Sequence, residues 1–259
     1  MSEIGPRELN RATLQRQLLL DRHDLPVPAT VGRVMALQAQ EPAAPYVALW
    51  NRIRDLDLSA VDESFRTRQV VKASLMRITL HAVSAVDHPV FHEACVPILR
   101  AARLNDRRYT DTGLTADDAD RVLDDLLDFL REPRTRDEIV DRLGAVERGS
   151  SEPRLWWAMR TFAPLVHVAE GPPWSFRQPL RYEAAPDHGA HPEPDEAQDV
   201  IVRRYIEAFG PASVADIVQF TMQKVPVIRA AVTRISDDLV TLRGPDGTEL
   251  LDIAGGPPI

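Results

Sequence analysis

The chain has 259 residues, 44% of them hydrophobic, which is enough for two or three small domains with a real core. Its net charge of -8 argues against nucleic-acid binding by a uniformly basic surface but leaves room for a local basic face. No apolar run approaches the ~18–20 residues of a membrane span, Met1 to Asn10 is too polar for a signal peptide, and the single cysteine, Cys95, excludes an intramolecular disulfide, so a soluble cytoplasmic protein is expected.

The first unit is predicted to run from residue 1 to 112. Helices are expected near Leu9–Arg22 and Ala29–Gln38, a short one near Pro45–Ile53 and another near Ser59–Arg66. Two β-rich runs follow, Val70–Met76 and Ile78–Val83, then a helix from about Ala85 to Arg103. In the second of these helices Val31, Val34 and Met35 form an apolar stripe, and Gln38 takes the i+7 place where a core residue belongs. On a regular helix Gln38 and Gln40 point about 200° apart. Pro42 pushes Glu41 out of the helical region and so favours a helix end. In a more extended exit residues two apart share a side, and both amides can face one small recessed pocket. A buried amide without partners costs about 1–3 kcal/mol.

The second unit is predicted over 113–182. A helix covers about Ala116–Leu130, and Thr135 with Glu138 has capping-box spacing before Ile139, Val140 and Leu143. After the Gly149-Ser150-Ser151 break comes a helix with Trp156, Trp157 and Phe162, then a hairpin of Val166–Val168 and Trp174–Phe176 across Gly171-Pro172-Pro173. Residues 183–196 read as an exposed linker holding His188 and His191. The third unit, 197–259, repeats the plan. Ile201, Tyr205 and Phe209 mark one helix, Ser213 and Asp216 cap a second through about Phe220, and Val225–Ile235 forms a third. Leu239–Leu242 and Glu249–Ile253 close a hairpin across Gly244-Pro245-Asp246-Gly247. Three helices and a two-stranded hairpin outline a winged helix. The expected fold is therefore mainly α with short β-hairpins, an α+β class built from tandem winged-helix domains.

The charges are unevenly placed. Arg66, Arg68, Lys72 and Arg77 occur in a stretch without an acid, and Arg100, Arg103, Arg107 and Arg108 follow with only Asp106 among them. Arginine binds phosphate through two parallel bonds, so these clusters are the expected DNA-binding side chains. The acids gather at Asp117, Asp118, Asp120, Asp124, Asp125 and Asp128, the pattern of a solvated helix face. Lys72 and Lys224 are the two lysines of the chain.

Several blocks then carry a family resemblance: Leu9-Asn10-Arg11, Leu37-Gln38-Ala39-Gln40-Glu41-Pro42, Pro45-Tyr46-Val47-Ala48-Leu49-Trp50, Leu75-Met76-Arg77, Thr79-Leu80-His81, Pro164-Leu165-Val166 and Ala208-Phe209-Gly210-Pro211-Ala212. With them the chain resembles the AlkZ/YcaQ-like winged-helix DNA glycosylases, bacterial enzymes that remove bulky alkylated purines and unhook interstrand crosslinks. The family's catalytic motif, Gln-x-Gln or Gln-x-Asp, falls on Gln38 and Gln40. Family members continue past the last hairpin for about another hundred residues, the size of a small domain, into a β-rich portion that helps embrace DNA; this chain ends at Gly255-Gly256-Pro257-Pro258-Ile259.

The resemblance implies a monofunctional glycosylase acting as a monomer on duplex DNA that bears alkylated purines. Alkylation at N7 of guanine or N3 of adenine makes the base a cationic leaving group, so the enzyme needs a placed water and stabilisation of an oxocarbenium-like sugar. Amide oxygens can position that water, but neither glutamine can act as a general base. Glu41 is a base in principle, and His81 is a pocket residue by resemblance and otherwise a sheet histidine. No metal is expected, because His88 and His92 have helical spacing but lack a clear third ligand. No cofactor is expected either, since Gly-rich phosphate loops and Gly-x-Ser-x-Gly are absent. Trp156 and Trp157 are read as core, and Schiff-base chemistry at Lys72 requires a desolvated amine. The alternative reading is a non-catalytic winged-helix DNA-binding or regulatory protein, which has no need of the amide pair.

Overall fold

Proline opens many of the helices, where its missing N–H leaves no hydrogen bond unmade. The computed structural model describes residues 4–144, 153–171, 174–176, 178–186 and 192–257. Within it α1 (Pro6–Arg16), α2 (Val27–Arg33), β1 (Leu37–Gln38), α3 (Ala44–Trp50), α4 (Leu58–Arg66), β2 (Val70–Ser74), β3 (Leu80–Ser84), α5 (His88–Leu104) and the short α6 (Arg107–Thr110) follow in order. Prolines sit in the first turns of α1, α2, α3 and α5.

The next stretch has winged-helix order: α7 (Ala116–Phe129), β4 (Arg134–Thr135), α8 (Arg136–Leu143), α9 (Arg154–Phe162), then β5 (Leu165–His167) and β6 (Arg181–Ala184), with β4 and β5 both on β6. Thr115 with Asp118 and Thr135 with Glu138 close capping boxes on α7 and α8. The third set repeats it: α10 (Pro194–Phe209), α11 (Val214–Thr221) capped by Ser213 and Asp216, α12 (Val225–Arg234), and the hairpin of β7 (Leu239–Arg243) with β8 (Glu249–Ile253). An isolated bridge from Ala212 to Leu251 stands where β4 stands in the preceding set. The fold is mainly helical with small antiparallel sheets, an α+β class.

The larger sheet has six strands in the order β1-β3-β2-β5-β6-β4. Its middle joint is the pairing of Lys72 on β2 with His167 on β5. One buried cluster, containing Phe91, Trp156 and Ile201, extends across helices of all three sets; a second, with Val31, Tyr46 and Phe65, fills the N-terminal part. Arg16 of α1 is 3% exposed and holds Asp252 of β8 through two bonds of 2.7 and 2.9 Å, tying the first helix to the last strand. Among the described residues no helix is long and apolar enough to cross a membrane.

Local expectations failed in several places. The helix expected over Leu9–Arg22 ends at Arg16, with Leu18 at φ 56°. The expected exposed linker over 183–196 begins inside β6, where Glu183 is buried against Arg68, and ends inside α10. The helix expected over Ala29–Gln38 stops at Arg33; Met35 turns left-handed at φ 71°, and Leu37–Gln38 is a strand on β3. Val31, Val34 and Met35 are all fully buried, so the apolar stripe was real, but pairing with β3 took the chain beyond it. The return strand expected at Trp174–Phe176 lies instead at Arg181–Ala184, because the Ser175 N–H is committed to the Tyr46 hydroxyl rather than to a strand. The Gly149-Ser150-Ser151 break, Pro172-Pro173, His188 and His191 lie outside the described residues.

Candidate active site

Strand β1 places the two amides. Leu37 and Ala39 are buried while Gln38 and Gln40 are exposed, the period-two alternation of extended backbone. The extended backbone does put both amides on one side, as expected of an extended exit, but they are exposed rather than recessed in the first unit, because β1 is the outermost strand of its sheet. The Arg77 guanidinium donates to Gln38 Oε1 at 3.4 Å, and the Leu80 N–H donates to Gln40 Oε1 at 3.5 Å. Both bonds are long, so both amide oxygens remain open to a further donor.

The β2–β3 connection supplies that arginine through a strained turn. Arg77 and Ile78 have φ of 55° and 58°, and the Thr79 N–H donates to the Met76 carbonyl at 3.3 Å. Two successive positive φ values are those of a type I′ hairpin turn, which glycine and asparagine usually fill. Side chains here cost on the order of 1–3 kcal/mol each, and a β-branched residue is an outlier. The Arg77 guanidinium lies 5.4 Å from the Phe220 ring centre, so α11 borders the amide site.

Gln40 and Glu41 also border a cavity of about 380 Å³, whose lining includes Lys72, Arg103, Arg160 and His167. Lys72 is 3% exposed, with its Nζ 4.7 Å from the Phe176 ring centre. Burial pushes its ammonium down to about 8, a fall that the charge of Glu41 partly opposes. The amine expected on an open DNA face is therefore interior, since its strand is central in the sheet. His167 is pushed down to about 3 by burial and by the charges of Lys72 and Arg160. His81, 2% exposed in β3, is pushed down to about 4 by burial and has Nδ1 3.0 Å from the Thr79 carbonyl oxygen.

A buried polar latch holds the cavity wall. The Tyr46 hydroxyl donates to Asp62, Ser175 Oγ donates to Asp62 at 2.6 Å, and the Ser175 N–H donates to the Tyr46 oxygen at 2.9 Å. Desolvation, with the Asp62 hydrogen bond second, pushes the Tyr46 phenol up to about 12. The latch fixes Ser175 against α3 and α4 and so sets its neighbour Phe176 over Lys72.

The expected arginines divide. Arg77 meets Gln38, and Arg103 lines the cavity while its Nε donates to Thr161 at 3.0 Å. Arg66 is paired with Glu63, Arg68 with Glu183 and Arg108 with Asp106. Arg107 is exposed. Arg66 and Arg68 border a separate hollow with Val166. Trp156 is core, whereas Trp157 is half-buried beneath the guanidinium groups of Arg103 and Arg108. His88 and His92 stack at 5.8 Å, and among the described residues no group of three side chains suited to a metal occurs.

Comparison with known proteins gives this geometry a context. The family model described as DNA glycosylase AlkZ-like matches residues 31–258. The chain belongs to the AlkZ-like DNA glycosylase family. An interstrand DNA cross-link repair glycosylase of Streptomyces sahachiroi is 28% identical over 211 residues, 78% of this chain and 56% of the relative. The chain thus spans about half the length of that curated relative. The solved structure of the Streptomyces sahachiroi DNA glycosylase AlkZ superposes with a TM-score of 0.82 at 22% identity, covering 98% of this chain and 71% of that one.

In this AlkZ-like chain the sequence reading missed Arg160, His167, Phe176 and Tyr182, which face the cavity from the second unit. A polar signal was present: Arg160 interrupts a helix with buried Ala158, Met159 and Phe162, and His167 ends an apolar strand. Nothing local said that both approach Lys72.

Proposed function

We propose that this chain is a monofunctional DNA glycosylase that hydrolyses the N-glycosidic bond of cationic alkylated purines in duplex DNA. The observation that carries the reading is the pair Gln38 and Gln40, exposed together at an edge strand with weakly engaged Oε1 atoms, in an AlkZ-like chain. Each amide oxygen accepts a hydrogen bond from the attacking water and orients it toward C1′, and the proton set free as the C1′–O bond forms passes to solvent. The glycosidic electrons leave with the cationic base, which is neutralised as it departs, so no general acid is required. Arg77 steadies the Gln38 carbonyl and, with Arg66, Arg68, Arg103, Arg107 and Arg108, supplies contacts to the DNA backbone. Interstrand DNA cross-links, whose repair is in the name of the Streptomyces sahachiroi relative, fall in the same chemical class where they join purines through alkylated, cationic positions.

The test is release of N7-methylguanine from a duplex under single-turnover conditions, corrected for spontaneous depurination. Gln38→Ala and Gln40→Ala should lose activity and keep most DNA affinity; release at the parental rate in both removes the assignment. The alternative, a DNA-binding regulator, requires sequence-selective binding with no base release from the parent protein.

A further inference from the structure

The cavity beside Gln40 holds charges that hydrolysis at the two amides does not use. Lys72, Arg103 and Arg160 line it, and among the described residues the one lining carboxylate is Glu41. Among the described residues no ion pair closes on the Lys72 ammonium; it faces the Phe176 ring and feels Glu41 at longer range. A buried cation without a paired anion is costly, and the cost falls when an anion enters. His167 carries a second uncommitted group, because its buried Nδ1 has no hydrogen-bond partner among the described residues. Like charge keeps the cationic lesion base out of this space, whereas a phosphate is drawn in. The volume, about 380 Å³, falls in the range of small-ligand sites, about 300–1,000 Å³, so a phosphate fits with its sugar.

We propose that this cavity is a phosphate subsite in which Lys72, Arg103 and Arg160 hold a phosphate group, leaving the alkylated base to Gln38 and Gln40. The proposal rests on the reading that the chain acts on DNA, and it adds the group that anchors the strand. Glu41 at the rim limits the affinity, so that the product strand can leave.

The chain has two lysines, Lys72 and Lys224, so protein labelled with 13C-lysine resolves both side chains by NMR. Titrations in chloride, in inorganic phosphate at equal ionic strength and with a duplex carrying an uncleavable abasic analogue form the arms. The Lys72 midpoint should move from about 8 toward the ordinary lysine value of about 10.4 with phosphate or duplex, but not with chloride. Arg160→Gln, an exposed position, should abolish the response, and Glu41→Gln should reach it at lower phosphate. Response to duplex assigns a strand phosphate; response to inorganic phosphate alone assigns a free phosphate ligand to the same subsite. A midpoint unmoved in both arms overturns the subsite, even in a protein that releases base. A midpoint that rises in a protein releasing no base leaves the subsite standing and removes the glycosylase reading.

Discussion

Gln38 stands directly opposite His81 in the antiparallel pairing of β1 with β3. Directly opposed residues share a face of the sheet, and the histidine paired with the proposed catalytic amide is a buried one. Burial pushes it down to about 4, far below the ordinary histidine value of about 6.5. The base-release rate should therefore show no acidic limb between about pH 5 and 8, since amides do not titrate and His81 stays neutral there. Single-turnover rates across that range check it. A steep limb that survives His81→Ala and disappears in Glu41→Gln makes Glu41 the base and removes the amide mechanism.

The same burial couples folding to acid. The folded pKa of His81 lies below its unfolded value, so the unfolded chain takes up the proton first and stability falls as pH drops from about 6.5 to about 4. The loss attributable to this one group reaches about 3 kcal/mol at the foot of the window. His167, pushed down to about 3, extends the trend further into acid. Urea midpoints measured from pH 7 to pH 4 should decline, and His81→Gln should flatten the decline. An unchanged slope in that variant places the proton uptake elsewhere.

Arg77 is held at φ 55° and reaches Gln38 Oε1 from there. Glycine accepts this backbone without strain. Arg77→Gly should leave thermal stability unchanged or raise it by up to about 1 kcal/mol, a backbone gain offset by the extra freedom of an unfolded glycine. Base release should nevertheless drop by at least tenfold, because the Gln38 amide loses its donor and the strand loses a cation. Parental activity in this variant shows that Arg77 serves only the turn.

Asp252 meets Arg16 in a buried pair that also takes in the Ile206 carbonyl, to which Arg16 donates at 3.0 Å. Removing one partner from such a pair costs about 3–5 kcal/mol, because the other charge is left uncompensated. Asp252→Ala should show that loss in urea denaturation. Gly210 guards the same contact: a Cβ there falls 2.5 Å from the Ile206 oxygen and 2.8 Å from Arg16 Nη1. Gly210→Ala should destabilise by about 1–3 kcal/mol, the range for overpacking. If both variants melt with the parent, the clamp contributes nothing to the union of the first helix with the last strand.

The sequence by itself determined most of the helices, two of their caps and the order of the three sets. Thr135 and Ser213 each had an acid three residues on, and both boxes closed where that spacing put them. Caps and apolar stripes are local, acting within one or two turns of backbone. The amide pair was legible in the same way, as two residues of one type on either side of Ala39. The tertiary structure alone decided the rest. Gln38 left its expected helix because β3 offered Leu37 and Gln38 a ladder, and a partner strand lies outside any local window. Lys72 read as a surface cation until β3 and β5 closed on either side of β2 and removed its water. Arg103, Arg160 and His167 joined it from distant segments, so the charge of the cavity is a property of the packed chain. Desolvation depends on everything that surrounds a group, whereas spacing records only its neighbours along the backbone.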